Sequence, residues 1–421
     1  MWLLAIPAAI VLAIIVLAIV YLAAVNKKTN PVRPERIEGA NGFVTAVGEN
    51  LYDGEGKLMC FKGVNLGNWF VPEPWMAAMN VGDYETGVYT LRRGTAAMRA
   101  NKALGEEDID KLYSMYMDNY IRESDFIEIK KLGMNSVRLP FTYMNLLKDG
   151  VWRDDAFKYI DFAVEMCARH GLYIILDMHG APGSQNMDNH SGDDSQWGLY
   201  GNEENRALTK EIWRRIAERY RGNKTVAAYD LINETRRKPH RFTGRAQFDF
   251  YDELYRTIRE VDPCHLIIME CFTFPTHGVK ETVYGWSNVC YEYHIYNLTP
   301  LKQKTCLNFY KALHNLKGYR VPVYIGEWNA WLKNKDWKLT TDFFDSLGWS
   351  YTSWTYKTNG YPYNRKTLPN RNSWGLYELD IKPVDLSSAT FEEIASVYSS
   401  LGTENAAKTH VYDFYSSLWQ Q

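Results

Sequence analysis

The strongest constraint on the fold of this chain is an alternation of β-prone runs with segments that have the spacing of amphipathic helices. DDAFKYIDFAVEMCARHG (154–171) and ALTKEIWRRIAERYRG (207–222) are two of these helical segments, and each ends at a glycine. Strands that alternate with helices predict a parallel sheet, and eight of them can close into a (β/α)8 barrel. The sequence therefore predicts an α/β fold of the TIM-barrel class. The eight predicted strands are Met59–Asn65, Asn135–Pro140, Tyr173–His179, Ala227–Glu234, Leu266–Cys271, Val289–Tyr296, Val321–Glu327 and Ser350–Tyr356.

The barrel is predicted to occupy residues 43–421 as one domain, because barrels of this class commonly use roughly 250 to more than 400 residues as a unit. FVTAVGENLYDGEGKLMCFKGVN (43–65) alternates short β-prone segments with glycine-rich turns. This pattern predicts an N-terminal hairpin that could plug one end of the barrel. Residues 77–123 are longer than one connection needs, so we expect them to form an extra lobe over the barrel mouth.

The first 25 residues have a different character from the rest of the chain. Residues 2–25, WLLAIPAAIVLAIIVLAIVYLAAV, carry no charge and are long enough to cross the hydrocarbon core of a bilayer as a helix. A cleaved signal peptide would have a basic start and a shorter apolar stretch. We therefore predict a transmembrane anchor at 1–25 that contacts the lipid bilayer. A polar tether with two prolines and two glycines follows at 26–42.

Composition excludes several classes of function. The net charge of -2 and a pI of about 6.5 give no basic surface for nucleic acid, so no nucleic-acid partner is predicted. Six cysteines occur without C-x-x-C spacing, which argues against a zinc site, and no metal or cofactor is predicted. The 14 Trp and 30 Tyr are more than a core requires, and sugar-binding clefts use such rings as flat apolar platforms.

Polar and aromatic side chains stand at the ends of six of the predicted strands. In a barrel the carboxyl ends of all strands face one cavity, so these residues are expected to meet there. Any one of them alone is typical of a structural residue whose hydrogen bonds are made within the fold. Their shared position at the strand ends, however, favours a functional site. The set comprises Arg138, His179, Asn233, Glu234, His294, Tyr296, Glu327 and Trp354.

This set resembles that of glycoside hydrolase family 5, the (β/α)8 retaining glycosidases, and the resemblance extends over the chain from Phe43. GVNLGNWFVPEPWM (63–76) and DMHGAPGSQN (177–186) are most similar to the exo-β-1,3-glucanase branch. The resemblance implies that Glu234 is the acid/base, that Glu327 is the nucleophile, and that the other six residues line the sugar subsite. It also assigns Trp69 to substrate binding. Glu73 is either a surface carboxylate or, by the resemblance, a ligand of the far hydroxyls of the terminal sugar.

Retaining glycoside hydrolysis needs two carboxyl groups roughly 5 to 5.5 Å apart, one protonated and one ionised. Two charges that close cannot both ionise easily, so the pKa of one carboxyl is expected to be raised. The implied function is hydrolysis of a β-glucan or a related oligosaccharide. A glycolipid glycosidase, or a sugar-binding barrel without catalysis, remains as an alternative.

Two departures from the family pattern bear on substrate placement. The usual Asn-Glu-Pro after the fourth strand is Asn-Glu-Thr here, so Thr235 is expected to relax the backbone beside Glu234. The segment MDNHSGDDSQWG after Asn186 is longer and more acidic than in the exo-glucanases. Its DNHSGDD portion (188–194) could ligate calcium but lacks the regular spacing of a calcium loop, and we interpret it as a solvated turn.

The side of the membrane on which the barrel lies is predicted from two opposing arguments. Lys27, Lys28, Arg33 and Arg36 all follow the apolar span, which by the positive-inside rule favours a cytoplasmic barrel. Large domains, however, translocate largely regardless of flanking charge, and β-glucans lie outside the membrane. The protein is therefore predicted to be a single-pass cell-membrane protein with its catalytic domain on the extracytoplasmic face.

Overall fold

Eight parallel strands close into a barrel, as the alternating sequence pattern predicts. The computed structural model describes residues 34–82, 89–236, 244–271, 274–296, 302–330, 334–361 and 374–418. In chain order the strands are β1 (Thr45–Val47), β2 (Asn50–Tyr52), β3 (Leu58–Met59), β4 (Lys62–Asn65), β5 (Met79–Asn80), β6 (Ser136–Thr142), β7 (Leu147–Lys148), β8 (Val151–Trp152), β9 (Tyr173–Gly180), β10 (Val226–Asp230), β11 (Leu266–Glu270), β12 (Val289–Tyr296), β13 (Val323–Asn329), β14 (Ser350–Ser353), β15 (Lys357–Asn359), β16 (Tyr377–Leu379), β17 (Val384–Asp385) and β18 (Ala407–Lys408).

Helices cover the outside of the barrel and join most of its strands. The order around the barrel is β4, β6, β9, β10, β11, β12, β13 and β14, and β14 pairs in parallel with β4 to close it. The described helices are α1 (Leu91–Ala100), α2 (Glu106–Tyr120), α3 (Glu123–Lys131), α4 (Tyr143–Leu146), α5 (Lys158–His170), α6 (Glu203–Tyr220), α7 (Arg245–Arg259), α8 (Gln303–Lys317), α9 (Asn334–Leu347), α10 (Phe391–Ser399) and α11 (His410–Leu418).

Local sequence explains where these helices begin and end. The side chain of Asn202 accepts the backbone N–H groups of Glu204 and Asn205 and so caps the start of α6. Helix α5 stops at Gly171, whose φ of +64° is a left-handed conformation that glycine adopts without a steric penalty. The glycine that ends the helical pattern at 154–171 is therefore the C-terminal cap that the pattern predicts.

All eight predicted barrel strands are present, and three differ from the prediction by three or more residues at one end: the first, the fourth, and the eighth, which ends at Ser353 rather than at Tyr356. Leu58 and Met59 pair with β2 in the hairpin, so the first barrel strand begins later, at Lys62. The fourth strand ends at Asp230 rather than at Glu234. The strand could not have continued to Glu234. This residue has a φ of +42°, in the left-handed region, which a strand cannot contain.

The N-terminal hairpin closes the amino end of the barrel. Strands β1, β2 and β3 form a small antiparallel sheet, and its Val44 and Leu51 pack in one buried cluster with Phe61, Ile175 and Leu266. These partners lie at or near the amino ends of barrel strands, so the opposite end of the barrel stays available for a site. The backbone of Glu35 and that of Ile37 are also hydrogen-bonded to the hairpin. This part of the predicted tether therefore contacts the hairpin.

An extra lobe lies between the first two barrel strands, where the long connection predicts it. It contains β5, α1 and α2, and it is joined to the C-terminal part of the chain through the pairing of β5 with β17. Arg92 on α1 forms an ion pair with Asp193, 3.0 Å away, in the loop after β9. The lobe is thus fixed to a loop on the carboxyl side of the barrel.

The structure bears on the membrane prediction only in part. Within the ranges described above, every helix is too short or too polar to cross a bilayer. The predicted anchor at 1–25 lies outside those ranges.

Candidate active site

The sequence-predicted residues come together around one cavity of about 350 Å³ at the carboxyl ends of the barrel strands. Seven of the eight residues in the strand-end set line it directly, and Arg138 lies beneath its floor. Glu73 lines the cavity as well. The remaining lining residues are Trp75, His190, Arg236, Tyr310 and Trp374.

Arg138 on β6 is fully buried and organises the floor of the cavity. Its guanidinium donates to Asp230 at 2.9 Å, to the Asn233 side-chain oxygen at 3.0 Å and to Glu327 at 3.1 Å. It also lies 3.1 Å from Asp177. Burying a guanidinium costs much solvation energy, and these acceptors offset that cost. Arg138 thereby fixes groups from four different strands and loops relative to one another.

Glu327 on β13 is held by a donor at each carboxylate oxygen. Arg138 Nη1 donates to Oε1 at 3.1 Å, and the Tyr296 hydroxyl donates to Oε2 at 2.8 Å. Only 7% of the Glu327 side chain is exposed. These two donors fix the position of both carboxylate oxygens and the plane of the group.

Glu234 follows β10 in a tight turn that buried side chains hold in place. Asn186 donates its amide to the Glu234 carbonyl at 3.0 Å, and the Glu234 N–H donates to the Glu270 carboxylate. The next residue, Thr235, is buried, and its hydroxyl lies 2.5 Å from that of Tyr200. The Thr235 hydroxyl is thus tied to the neighbouring loop, and the expectation that Thr235 relaxes the backbone stays a prediction.

His294 on β12 joins the two glutamates. Its Nδ1 lies 2.7 Å from Glu234 Oε1 and 3.5 Å from Glu327 Oε2. One carboxylate oxygen of Glu234, one of Glu327 and a nitrogen of His294 all lie within 4.8 Å of one another. The two glutamates therefore face each other across a gap about as wide as one reacting group.

The protonation of this cluster differs from the sequence expectation. Burial raises the pKa of Glu234, but the positive charges of His190 and His294 outweigh burial and hold that pKa below its ordinary value. Burial lowers the pKa of His294, yet the carboxylates of Glu270, Glu327 and Glu234 hold it well above its ordinary value. In the cavity without substrate, the proton between Glu234 and His294 therefore resides on the imidazole. The expected raised pKa is absent from Glu234.

The clearest raised pKa on the cavity wall belongs to Glu73. Burial raises the pKa of Glu73 to about 7, and the indole N–H of Trp75 donates to its Oε2 at 2.7 Å. Only 6% of Glu73 is exposed, so it is not a surface carboxylate. Trp75 in turn packs against Trp374 with a centroid distance of 4.5 Å. This wall presents a carboxyl group beside apolar rings, a combination that suits a sugar.

His179 and Trp354 form another part of the cavity lining. Their rings stack with centroids 5.4 Å apart and planes 12° apart. His179 Nδ1 lies 2.7 Å from Asp177, and burial holds the pKa of His179 well below its ordinary value, so its ring is neutral. The flat face of Trp354 is thus supported from behind by an uncharged imidazole.

Two sequence interpretations need correction. Trp69 is fully buried, donates its indole N–H to the Met117 carbonyl at 2.9 Å and packs edge-on against Phe70. The structure therefore places it in the core beside the extra lobe and not at the cavity. The segment 188–194 is not a solvated turn, because its Ser191 and Asp193 are buried and the loop is tied down by Arg92.

Sequence reasoning missed a layer of carboxyl groups beneath the cavity. Asp177, Asp230, Glu270 and Glu292 are each fully buried, and burial raises the pKa of the first three well above its ordinary value. Asp177 stands two residues before His179, and Glu292 two residues before His294. Since alternate residues of a strand face the same side, this spacing could have revealed both. His190, which lines the cavity from the loop after β9, had no comparable signal.

Among the residues that the structure describes, two groups of side chains have the spacing that a metal ion would need. They are Glu234 with His294 and Glu327, and Glu270 with Glu292 and His294. His294 Nδ1 already contacts Glu234, and its Nε2 lies 3.3 Å from Glu292. Arg138 supplies a positive charge to the same cluster. These contacts link the groups in a hydrogen-bonded and ion-paired network, in which Glu270 Oε1 and Glu292 Oε2 have no hydrogen-bond partner.

A parallel barrel with two facing carboxylates and aromatic walls at its carboxyl end is the arrangement that glycoside-cleaving barrels have. The family model "Cellulase (glycosyl hydrolase family 5)" matches residues 100–360, which is more than half of the chain. The chain belongs to glycosyl hydrolase family 5, and the resemblance drawn from its motifs is confirmed.

Individual relatives are more distant. A beta-xylosidase of Phanerodontia chrysosporium is 28% identical over 264 residues, which cover 61% of this chain and 52% of the relative. A glucan 1,3-beta-glucosidase of Candida oleophila is 30% identical over 249 residues, 56% of this chain and 58% of the relative. The matches span roughly half to two thirds of the lengths of these relatives. The solved rutinosidase from Aspergillus niger shares the fold, with a TM-score of 0.59 at 15% identity over 72% of this chain and 91% of that chain.

Proposed function

We propose that this protein is a retaining β-glycosidase that cleaves β-glucosidic bonds in a β-glucan polysaccharide or an oligosaccharide derived from it. The observation that carries the proposal is the pair Glu234 and Glu327, whose carboxylate oxygens lie within 4.8 Å of each other. Retaining enzymes place the two carboxyl groups roughly 5 to 5.5 Å apart, whereas inverting enzymes need roughly 6.5 to 9.5 Å to admit a water. The observed gap supports the retaining mechanism.

In the first half-reaction Glu327 acts as the nucleophile. Its ionised carboxylate, oriented by Arg138 and Tyr296, attacks the anomeric carbon of a sugar held between the two walls of the cavity. Glu234 gives a proton to the glycosidic oxygen, the bond to the anomeric carbon breaks, and the bonding pair leaves with the alcohol. The product is a glycosyl ester on Glu327.

In the second half-reaction a water replaces the departed alcohol. Glu234, now ionised, takes a proton from the water while the water oxygen attacks the anomeric carbon. The ester bond to Glu327 breaks and its electron pair returns to the carboxylate. Two inversions at one carbon restore the β configuration, and the proton that Glu234 received replaces the one it gave.

The His294 pair supplies the proton for the first cycle. In the empty cavity the proton resides on His294 Nδ1, 2.7 Å from Glu234 Oε1. A bound sugar displaces water from the cavity, and desolvation disfavours the charged pair relative to a neutral imidazole and a neutral carboxyl. The proton then crosses one hydrogen bond to Glu234. The two groups titrate as a coupled pair, and activity follows the protonation of both.

The other wall residues fit the same assignment. Trp354 offers the flat face on which the sugar ring stacks, and Glu73 is placed to bind hydroxyls at the far side of that ring. Asn233 is placed to hold a hydroxyl next to the reacting carbon. The names of the curated relatives support a β-linked glucose or xylose at this position.

We further propose that residues 1–25 anchor the protein in the cell membrane and that the barrel lies on the extracytoplasmic face. The uncharged segment 2–25 and the location of β-glucans outside the membrane support this arrangement. The same anchor keeps a glycolipid glycosidase as a second candidate, since an anchored barrel could reach a sugar headgroup at the bilayer surface. Hydrolysis of glucosylceramide together with failure on laminarin, lichenan and cellulose would favour that candidate.

The test follows the anomeric configuration of the product and the effect of one substitution. Proton NMR recorded in the first minutes of hydrolysis should show the β-anomer of the released sugar before mutarotation. Glu327→Gln should lower turnover of an aryl β-glucoside by several orders of magnitude with the fold retained. A first-formed α-anomer would contradict the retaining mechanism. Activity of Glu327→Gln within tenfold of the wild type would contradict the assignment of Glu327, and sugar binding without any turnover by the wild-type protein would favour a non-catalytic barrel.

A further inference from the structure

A buried carboxyl group contacts the imidazole of His294 through the ring nitrogen that does not face Glu234. Glu292 Oε1 lies 3.3 Å from His294 Nε2, while Glu234 Oε1 lies 2.7 Å from Nδ1 of the same ring. Within the ranges that the structure describes, Nε2 has no other hydrogen-bond acceptor. His294 therefore connects Glu234 on the cavity wall to a carboxyl group in the layer beneath the cavity.

The pairing of the two strands beside His294 makes room for this carboxyl group. The register of β12 against β13 shifts by one residue directly before His294, so Gly326 is an extra, bulged residue in β13. A Cβ atom at Gly326 would lie 1.4 Å from Glu292 Oε1. Only glycine therefore leaves room for the Glu292 carboxyl here, and the same bulge brings His294 level with Glu327.

Arg138 lies close to the same oxygen of Glu292 that faces His294. Glu292 is fully buried, and its Oε1 is 3.5 Å from Arg138 Nη2. A guanidinium carries only donors, so the oxygen beside it is an acceptor. The hydrogen in the contact between Glu292 Oε1 and His294 Nε2 therefore belongs to the imidazole.

Charged groups from the neighbouring strands decide which form the ring has in the empty cavity. Those that surround His294 and Glu292 are Arg138 on β6, Asp177 on β9, Asp230 on β10, Glu270 on β11 and Glu327 on β13. Glu270 Oε1 and Glu327 Oε2 lie 3.8 and 3.5 Å from His294 Nδ1. Burial lowers the pKa of His294, but the carboxylates around it hold that pKa well above its ordinary value. The ring is therefore doubly protonated before substrate binds.

The two hydrogen bonds of the ring determine which of its protons can move. In the doubly protonated ring, Nδ1–H donates to Glu234 and Nε2–H donates to Glu292. When Nδ1 gives its proton to Glu234, the neutral ring keeps its remaining proton on Nε2, where Glu292 accepts it. Without that acceptor the neutral ring would keep its proton on Nδ1, beside the Glu234 carboxylate. Glu234 would then stay ionised and could not act as an acid.

We propose that Glu292 is a positioning residue for the acid step: it accepts the Nε2 proton of His294, so that the Nδ1 proton is the one that passes to Glu234. The inference rests on the proposed role of Glu234 as the acid/base. In this transfer the Nδ1–H bond breaks, its electron pair stays on Nδ1, and an O–H bond forms on Glu234. Glu292 forms and breaks no covalent bond, and the Nε2 proton stays in place throughout the cycle.

The first test compares substrates that do and do not need a proton for departure. A dinitrophenolate leaves without protonation, whereas an alkoxide does not. Glu292→Met keeps the length of the side chain and removes the acceptor, so kcat/KM for an alkyl β-glucoside should fall about 10- to 100-fold, which is part of what a general acid contributes. The value for the dinitrophenyl β-glucoside should stay within about threefold. Glu292→Gln, whose amide oxygen can accept from Nε2, should recover part of the loss on the alkyl substrate.

Cys290→Ala is the matched control for a change in β12. Cys290 stands two residues before Glu292, is fully buried, and packs in the cluster that contains Val44 and Leu51 of the hairpin region. The substitution disturbs the same face of the same strand but leaves the contacts of His294 intact. It should keep kcat/KM on both substrates within about threefold of the wild type.

A spectrum of the His294 ring gives a second readout, which a purely structural role of Glu292 would not move. In protein labelled with 15N-histidine, a ring nitrogen that carries a proton resonates far from one that does not, and comparison with His294→Gln assigns the signals. With the slowly cleaved analogue phenyl 1-thio-β-glucoside bound, the wild type should show a neutral ring protonated on Nε2, and Glu292→Met a ring protonated on Nδ1. A wild-type ring that stays doubly protonated, or that carries its proton on Nδ1, would overturn the inference even if Glu292→Met fails to fold.

The kinetic outcomes separate this inference from the function on which it rests. Equal losses on both substrates in Glu292→Met, without recovery in Glu292→Gln, would overturn the inference, and so would wild-type rates on both. Glu234→Ala is measured in parallel and should show a strong dependence on the leaving group. If Glu234→Ala shows that dependence and Glu292→Met does not, only the role of Glu292 fails. If Glu234→Ala lacks it, the acid/base assignment fails as well.

Discussion

Replacing Tyr296 with Phe removes one oxygen from the cavity and tests how Glu327 is held. The Tyr296 hydroxyl donates to Glu327 Oε2 at 2.8 Å, while Arg138 holds the other carboxylate oxygen. A hydrogen bond to a charged group contributes about 1.5 to 3 kcal/mol. If that energy is lost in the attack of Glu327 on the anomeric carbon, kcat/KM falls about 10- to 150-fold.

The assay is steady-state hydrolysis of an alkyl and a dinitrophenyl β-glucoside by Tyr296→Phe. Both substrates should lose activity, because both need the nucleophile, whatever their leaving group. Tyr310→Phe is the control: Tyr310 also lines the cavity, but its hydroxyl contacts the His294 carbonyl at 3.4 Å rather than a carboxylate. The control should change kcat/KM by less than about threefold. A loss below threefold in Tyr296→Phe, or an equal loss in Tyr310→Phe, would refute the reasoning.

Three further predictions follow from the same contacts and from the chain's first segment. Arg138→Met leaves Asp177, Asp230 and Glu292 buried without their guanidinium partner, so it should lower the free energy of unfolding by about 3 to 5 kcal/mol in urea titrations; a loss below 1 kcal/mol would contradict the ionic role of Arg138. Glu73 has a pKa of about 7 in the folded protein, above its value in the unfolded chain. Between pH about 4.5 and 7 the carboxyl therefore ionises only on unfolding, and the free energy of unfolding of the wild type should fall as the pH rises through this range. Between pH 4.5 and 7 the free energy of unfolding of Glu73→Gln should therefore rise relative to that of the wild type by up to about 3 kcal/mol, and above pH 7 the difference should stay level. A difference that does not change with pH would refute the raised pKa of Glu73. Protease added to intact cells should release a fragment that starts near residues 26–40 if the barrel is extracytoplasmic; protection until the membrane is broken would place it in the cytoplasm.

The barrel could be predicted because its strands are buried on both faces. Such strands read as continuous apolar runs, and β6 from Ser136 to Thr142 is buried throughout. The strand ends were less certain, because the apolar run continues through Leu231 and Ile232 after β10 ends at Asp230. These two residues still pack in the core, so hydrophobicity alone could not mark the turn that Glu234 makes.

Site residues on strands were predictable, and residues on loops were not. His179, His294 and Glu327 belong to strands whose direction is fixed by the barrel, so their position in sequence determines where they point. His190 and Trp374 reach the cavity from loops, and loop paths depend on contacts distant in sequence, such as Arg92 with Asp193. Trp69 lies in a motif shared with the family branch, yet the extra lobe covers it with Met117.

The protonation of Glu234 could not be read from the sequence either. Proximity of two carboxylates predicted a raised pKa, but that reasoning omitted the imidazoles. His294 and His190 each face one oxygen of Glu234, and their electrostatic interactions with it outweigh the effect of burial on its pKa.

Trapping of the glycosyl-enzyme tests the central claim most directly. The protein is incubated with 2,4-dinitrophenyl 2-deoxy-2-fluoro-β-glucoside. Its fluorine slows both half-reactions, while its dinitrophenolate leaving group keeps the first one fast, so the glycosyl-enzyme accumulates. Intact-mass spectrometry followed by peptide mapping should find one fluoroglucosyl group on Glu327, together with loss of activity. Glu327→Gln should take up no label. A label on another carboxylate, or one equivalent of dinitrophenolate released without any adduct, would contradict Glu327 as the nucleophile of a retaining glycosidase.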